Sequence, residues 1–265
     1  MDAILAMASL HRHRLVSSSG APPRQVTAHW QRCLSDFASR LTKGFDGDDA
    51  DAMLATATLI NGVAFALVDH QVPSKVWPLA SNSSDLEWLY RQKGITIVYA
   101  ACPFVRPNSA LKQLFDVDPF DDLQDIAVAD ENILRDRLAS ACVTGDSEQN
   151  VYDNALQVLG PLLRLPCTSE TILMHLGFIG LMNSEFIALL REKNHIALLI
   201  LSYWYAGICS FDCWWVTLRP ALECVAICKY LDQHATQIIR DLLFYPAEAC
   251  GYSLQAPLRV QERLI

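Results

Sequence analysis

Three polar side chains interrupt runs that are otherwise apolar, and each has a chemistry that a buried site can use. His175 lies in ILMHLGFIGLM, Asn61 lies in LINGVAFA, and Tyr203 follows ALLILS. A histidine can exchange a proton near neutral pH, and an amide or a phenol can donate a hydrogen bond to a ligand oxygen. These residues are therefore the candidate catalytic hydrogen-bond donors. The alternative, which we favour for His175 and Asn61, is a core residue whose polar atoms pair with neighbouring backbone.

Aromatic residues fall in two short clusters, Tyr203-Trp204-Tyr205 and Trp214-Trp215. Consecutive helical residues point in different directions, so one member of each cluster should face a pocket or the surface. Flat aromatic faces suit a polycyclic or conjugated ligand, although such clusters are more often plain core. The candidate ligand-binding residues are Phe178, Met182, Trp204, Cys209, Asp212, Trp214 and Trp215.

The cysteines give only weak evidence for a metal site, and Asp212 has an expected role in capping a helix. The pairs Cys209/Cys213 and Cys224/Cys228 are spaced i,i+4 and could supply half a metal site, but apolar surroundings without histidine favour buried packing. Asp212 is expected to cap a helix that begins at Cys213, with ligand anchoring as the less favoured role.

Other catalytic motifs are weak or missing in the sequence. The acidic runs 48–51 and 121–125 resemble a magnesium-diphosphate motif only superficially, because carboxylates are common in loops and at helix starts. There is no nucleophile elbow, phosphate-binding glycine loop, dinucleotide fingerprint or His-Glu-x-x-His motif. We therefore predict neither a metal nor a cofactor.

Composition limits the partners. The 265 residues are 52% hydrophobic and 19% charged, with a formal charge of −8, so a nucleic-acid partner is not expected. Nine cysteines without a secretory signal predict reduced thiols in a cytoplasmic protein, or a nuclear one if the chain belongs to a regulator. The apolar run 196–211 is short for a membrane span, so we predict none.

The elements that would position these residues are all helical. Apolar residues recur at helical spacing, and alternating runs bounded by turn dipeptides are missing. We predict a single all-α domain over 1–265, with about ten to twelve helices around a buried central helix (195–210), a hydrophobic pocket in the carboxyl-terminal half, and a loop-rich segment at 102–130. The predicted helices cover 2–15, 24–43, 47–67, 85–101, 130–140, 148–163, 169–181, 184–192, 195–210, 213–232 and 234–244.

The segment REKNHIALLILSYWYAGICSFDCWWVTLRPAL (191–222) resembles the carboxyl-terminal regulatory domain of fungal zinc-cluster transcription factors of the sterol uptake control type. The runs at 3–14, 51–66, 85–95 and 242–252 resemble further blocks of that domain. The resemblance implies an all-α fold with a hydrophobic pocket that holds a sterol in the family's best understood members.

The chain departs from that family because it has no zinc-cluster module. That module needs two Cys-x-x-Cys arrays, and the sequence contains no Cys-x-x-Cys. Met1 directly precedes the first predicted helix, so we expect a free-standing domain, although an excised piece would look the same. This chain alone is not expected to bind DNA.

Three functions remain open. The first is an apolar pocket that holds a lipophilic terpenoid or polyene and directs its cofactor-free cyclisation, of the Diels–Alder type, in fungal secondary metabolism. The second is a ligand-sensing domain for a sterol-like effector, separated from its DNA-binding half. The third is a helical interaction protein, for which a homodimer is an option. We favour the first narrowly, because a domain without the DNA-binding half cannot perform the regulator's main task.

Overall fold

The computed structural model describes residues 1–16, 24–45, 49–68, 70–82, 85–100 and 146–255, and the regular secondary structure of these residues is helical, without strands. The prediction of an all-α fold is confirmed. The helices are α1 Asp2–Val16, α2 Arg24–Lys43, α3 Ala50–Ala66, α4 Glu87–Ala100, α5 Asp146–Arg164, α6 Ile172–Leu181, α7 Ser184–Arg191, α8 His195–Cys209, α9 Trp214–His234, α10 Gln237–Leu242 and α11 Phe244–Cys250. The predicted helix at 130–140, the loop-rich segment at 102–130 and the acidic run at 121–125 lie outside the described residues, as does Asp48.

The central helix is α8, and the prediction that it is buried is confirmed. All residues from Ile196 to Ile208 are buried, which leaves only the two ends of the helix in contact with solvent. Asn194 caps the helix, since its side-chain oxygen accepts from the backbone N–H groups of Ile196 (3.0 Å) and Ala197 (3.1 Å). A helix that is apolar on every side must be surrounded by other elements. Here α5, α6, α7, α9, α10 and α11 all pack against it.

A second layer is built from α1, α2 and α3. Its core contains Ala6, Val26, Trp30 and Val63, and it is distinct from the main core around α8. The helix α3 joins the two layers because Phe65, near its end, belongs to the main core while Val63 belongs to the second. The fold is therefore two helical layers that share α3.

The predicted helix at 234–244 is wrong, because two shorter helices, α10 and α11, take its place. Thr236 has an extended backbone and separates α10 from α9. Pro246 lies in the first turn of α11, where its missing N–H would have no intrahelical partner anyway. Gly251, with φ of 74°, ends α11 in the left-handed conformation that glycine adopts without strain.

None of the described helices is by itself long and apolar enough to cross a membrane. Only α6 and α7 taken together reach the necessary length and composition, and they meet at 85°.

Candidate functional site

The predicted ligand-binding residues Trp204, Phe178 and Met182 form part of the main core. Trp204 is 1% exposed, and its indole N–H donates to the backbone oxygen of His175 at 2.7 Å. Phe178 stacks on Trp204 with 5.4 Å between ring centroids, and Met182 is buried in the same cluster. In the part of the chain that the structure describes, their contacts are therefore with other core residues.

The three predicted hydrogen-bond donors have different surroundings. The Tyr203 hydroxyl donates to the backbone oxygen of Leu242 at 2.8 Å, which gives it a structural partner. Burial lowers the pKa of His175, so this histidine is neutral, and its ring lies edge-on to Phe211 with 5.0 Å between centroids. His175 Nε2 and Asn61 Nδ2 are buried without a partner among the described residues, but they lie on different helices, α6 and α3.

Asp212 and Cys209 do not form a reactive site. Helix α9 begins at Trp214, one residue later than predicted, so its N-cap residue is Cys213 and the prediction that Asp212 caps it is wrong. Asp212 itself is exposed. Burial raises the pKa of Cys209 to about 12, so it is a protonated thiol at neutral pH and a poor nucleophile.

Trp214 and Trp215 line one apolar groove between α1, α3 and the start of α9. This tryptophan groove has a volume of about 450 Å³ and is also lined by Met7, His11, Leu59 and Gly62. The ring of His11 lies 5.0 Å from that of Trp214. Both tryptophans line the groove, and Trp215 also packs against the main core, whereas Trp214, among the described residues, packs only against the core of the second layer.

A separate pocket, which the sequence analysis did not identify, lies between α2, the end of α3, the start of α4 and α9. We name it the arginine pocket, after Arg219 at its base. Its volume is about 210 Å³. Three tryptophans line it, Trp30, Trp77 and Trp88, and charged residues of the rim include Lys75, Asp85, Glu87 and Arg91.

The base of the arginine pocket is a buried ion pair. Arg219 and Glu223 are paired one turn apart on α9, with side chains 10% and 5% exposed. The guanidinium also donates to the backbone oxygens of Phe65 (3.0 Å) and Leu67 near the end of α3. Cations are stabilising at this end of a helix, where carbonyl oxygens have no intrahelical partner. Arg219 therefore ties α9 to α3.

Glu223 has a second partner, Tyr205 of the central helix. The phenol donates to the Glu223 carboxylate at 2.5 Å, and both side chains are buried. Burial, together with the adjacent carboxylate, raises the pKa of Tyr205 far above its ordinary value, so the phenol keeps its proton. The chain Tyr205–Glu223–Arg219 fixes the guanidinium in position between the two layers.

Trp88 lines the arginine pocket and has a buried hydrogen-bond donor. Its indole nitrogen is buried and has no partner in the described portion of the chain. The guanidinium carbon of Arg219 lies 5.0 Å above the Trp88 ring, within cation–π range. A buried donor beside a buried cation, under aromatic walls, can recognise a hydrogen-bond acceptor on an otherwise apolar molecule.

Sequence reasoning missed the arginine pocket although one signal was present. Arg219 and Glu223 are an i,i+4 charge pair inside the run VTLRPALECVAIC, where a charged pair is expected to be buried and paired. No comparable signal marks Trp88, because its place beside Arg219 depends on how α4 packs against α3 and α6.

Comparison with protein-family models, with curated proteins and with solved structures gives no match to this chain. The resemblance to the regulatory domain of fungal zinc-cluster factors therefore stays a prediction.

Proposed function

We propose that the chain binds a lipophilic terpenoid or polyene that carries a carbonyl group in the arginine pocket, and that it directs the cofactor-free cyclisation of this molecule. The observation that carries the proposal is the unpartnered N–H of Trp88, whose ring lies under the buried Arg219 guanidinium. Leaving a buried donor unpaired costs about 1–3 kcal/mol. A carbonyl oxygen bound at this point would recover part of that cost, whereas a plain hydrocarbon would not.

The dimensions of the arginine pocket define how a ligand would lie in it. Its volume of about 210 Å³ is below the range of about 300–1,000 Å³ that is usual for sites that enclose a whole drug-sized ligand. We therefore assign the pocket to the carbonyl-bearing end of the ligand. The remainder would extend past the tryptophan walls toward the rim.

The expected chemistry needs no group that exchanges electrons or protons. In an intramolecular Diels–Alder closure two carbon–carbon σ bonds form, a diene and an alkene are consumed, and no atom enters or leaves. Hydrogen bonds from Trp88 and Arg219 to a carbonyl conjugated with the alkene would withdraw electron density from it and stabilise the transition state. The aromatic walls would restrict the chain to folded conformers, which removes part of the entropic barrier. Glu223 and Tyr205 act as positioning residues for Arg219.

A second candidate function is ligand sensing without chemical change. It is favoured by the bonds from Arg219 to the carbonyl oxygens near the end of α3, because α3 contributes to both cores. An occupant of the arginine pocket would touch the contact that joins the two layers. A ligand that binds one arrangement of the layers better than another would shift the equilibrium between them.

Binding is tested with β-ionone, a conjugated terpenoid ketone, against the matching hydrocarbon in which a methylene group replaces the carbonyl. We expect the wild-type protein to prefer the ketone by about 2–10-fold in Kd, the equivalent of one hydrogen bond. In Trp88→Phe, which keeps an aromatic ring but removes the N–H, this preference should disappear. Isothermal titration calorimetry measures both affinities.

The matched control is Trp214→Phe, which alters the tryptophan groove and leaves the arginine pocket intact. It should retain the preference for the ketone. Because the preference is a ratio measured on one protein sample, a general loss of stability in Trp88→Phe does not imitate the expected result. Loss of the preference in Trp214→Phe and its retention in Trp88→Phe would assign the ligand to the groove and overturn the proposal.

Cyclisation is tested with a linear trienone whose diene and enone can close on each other. We expect native protein, without added metal or nucleotide, to accelerate the closure and to change the ratio of stereoisomers. Heat-denatured protein is the control. Equal rates and equal isomer ratios in the two samples would remove the enzymatic function, and saturable β-ionone binding under the same conditions would then support the sensing function.

A further inference from the structure

Three cysteine thiols converge at a point that is separate from the arginine pocket. Cys224 and Cys228 lie one turn apart on α9, and Cys250 is the last residue of α11. Their sulfur atoms all lie within 4.8 Å of one another. The sequence paired Cys224 with Cys228 and predicted buried packing, whereas the tertiary structure adds a third sulfur.

The surroundings of this three-thiol cluster separate a closed side from an accessible one. Cys224 and Cys228 are fully buried, and the Cys224 sulfur lies 3.6 Å from the backbone oxygens of both Ser202 and Pro246. Cys250 is only partly buried, so it provides a route from solvent to the cluster. A metal site needs such an entry path.

No further ligand joins the three thiols among the residues that the structure describes. Two carboxylates of α9 flank the cluster in sequence: Glu223 is paired with Arg219, and Asp232, one turn beyond Cys228, is also engaged. It accepts from Arg240 at 3.0 Å, from the Tyr252 hydroxyl at 3.2 Å and from the backbone N–H of Gln255 at 2.9 Å. Within the described ranges, the donor set of the cluster is therefore sulfur only.

The spacing of the sulfur atoms fits a small ion after a modest contraction. Three thiolates placed around an ion at about 2.3 Å, the usual zinc–sulfur distance, are separated by about 4.0 Å in a trigonal plane. The observed limit of 4.8 Å requires the sulfur atoms to approach by less than about 1 Å, which is within reach of side-chain rotation. The i,i+4 placement on one helix keeps two of the three ligands in position before the ion arrives.

We propose that Cys224, Cys228 and Cys250 bind a monovalent copper ion in a three-coordinate, all-sulfur site. Soft thiolate ligands select Cu(I), zinc and iron–sulfur clusters over hard cations. Zinc in structural sites takes four ligands, and the described residues bring only three together. Each thiol that becomes a ligand releases one proton to solvent, and no electron is transferred.

Cys250 is the partly exposed member of the cluster, so it is the first ligand that an incoming ion meets.

The experiment uses the reduced full chain under anaerobic conditions, with Cu(I) titrated in competition with the colorimetric chelator bicinchoninate. We expect wild-type protein to withdraw one Cu(I) per chain from the chelator. Cys250→Ser should weaken this binding by at least about tenfold, because even the loss of a residue that only supports a metal ligand lowers metal affinity by about that factor. Cys33→Ser is the matched control, because Cys33 is buried in the second layer, and its variant should bind as wild type does.

A second measurement does not depend on any variant folding. X-ray absorption of the copper-loaded wild-type chain should show three sulfur ligands and no nitrogen or oxygen ligand. Equal competition by wild type and Cys250→Ser would overturn the proposal, and so would a two-sulfur spectrum. Displacement of bound copper by an equal concentration of Zn(II) would also overturn it, because the site would then prefer the four-coordinate ion.

Discussion

Arg219→Met is expected to lower the free energy of unfolding by about 3–5 kcal/mol, the usual cost of removing one partner of a buried ion pair. The side chains of Arg219 and Glu223 are 10% and 5% exposed, so solvent screens their interaction little. The variant leaves the Glu223 carboxylate in the core without its cation. Methionine keeps the apolar length of the side chain, so the loss is one of charge and hydrogen bonds more than of packing.

The expected loss of stability in Arg219→Met has two sources in the structure. The first is the Glu223 carboxylate, for which the Tyr205 hydroxyl is the one partner that remains among the described residues. The second is the end of α3, where the backbone oxygens of Phe65 and Leu67 lose the guanidinium. Each buried carbonyl left without a donor costs about 1–3 kcal/mol, unless water reaches it. The retained Tyr205 bond and water entry through the arginine pocket keep the total within the stated range.

The assay is urea unfolding followed by far-ultraviolet circular dichroism, with Arg91→Met as the matched control. Arg91 pairs with Glu87 at the same i,i+4 spacing but on an exposed surface, at 3.2 Å with side chains 40% and 52% exposed. Its loss should cost no more than about 0.5 kcal/mol. The double variant Arg219→Met/Glu223→Leu should be more stable than Arg219→Met alone, because it removes the stranded carboxylate.

Two results would refute this reasoning. Equal losses for Arg219→Met and Arg91→Met would show that burial does not strengthen the pair. A double variant no more stable than Arg219→Met would show that the unpaired carboxylate is not the source of the loss.

Two further predictions concern residues that the sequence marked as donors. Burial lowers the pKa of His175, so the unfolded chain takes up a proton more readily than the fold. The free energy of unfolding should then fall as the pH drops below about 6.5. This pH dependence should be smaller in His175→Phe, as measured by urea midpoints at several pH values. An unchanged pH dependence in the variant would contradict the argument that His175 is buried in its neutral form. Tyr203→Phe leaves the Leu242 carbonyl without its donor and should cost about 1–3 kcal/mol, with the β-ionone affinity unchanged by calorimetry. A stable Tyr203→Phe variant that no longer binds β-ionone would instead show that Tyr203 belongs to the ligand site.

The sequence by itself determined the helices and the burial of the central one. The pattern that predicts α8 is local: residues 196–211 form a run that is apolar on nearly every side. Such a run has no polar face to turn toward water, so the helix is buried regardless of which elements surround it. The predicted boundaries were wrong mainly after residue 234, where the separation of α10 from α11 depends on how both pack on α8 and α9.

Only the tertiary structure decided which side chains share a site. Arg219 binds the backbone of Phe65 across a separation of 154 residues, and Cys250 joins two cysteines of another helix. Trp204, which by sequence was a ligand-binding candidate, donates its N–H to the His175 carbonyl within the core. A helical period fixes the face on which a residue lies, but the angle and spacing between helices fix what that face meets. The angle and spacing between helices result from the packing of many side chains at once, so no local pattern in the sequence predicts them.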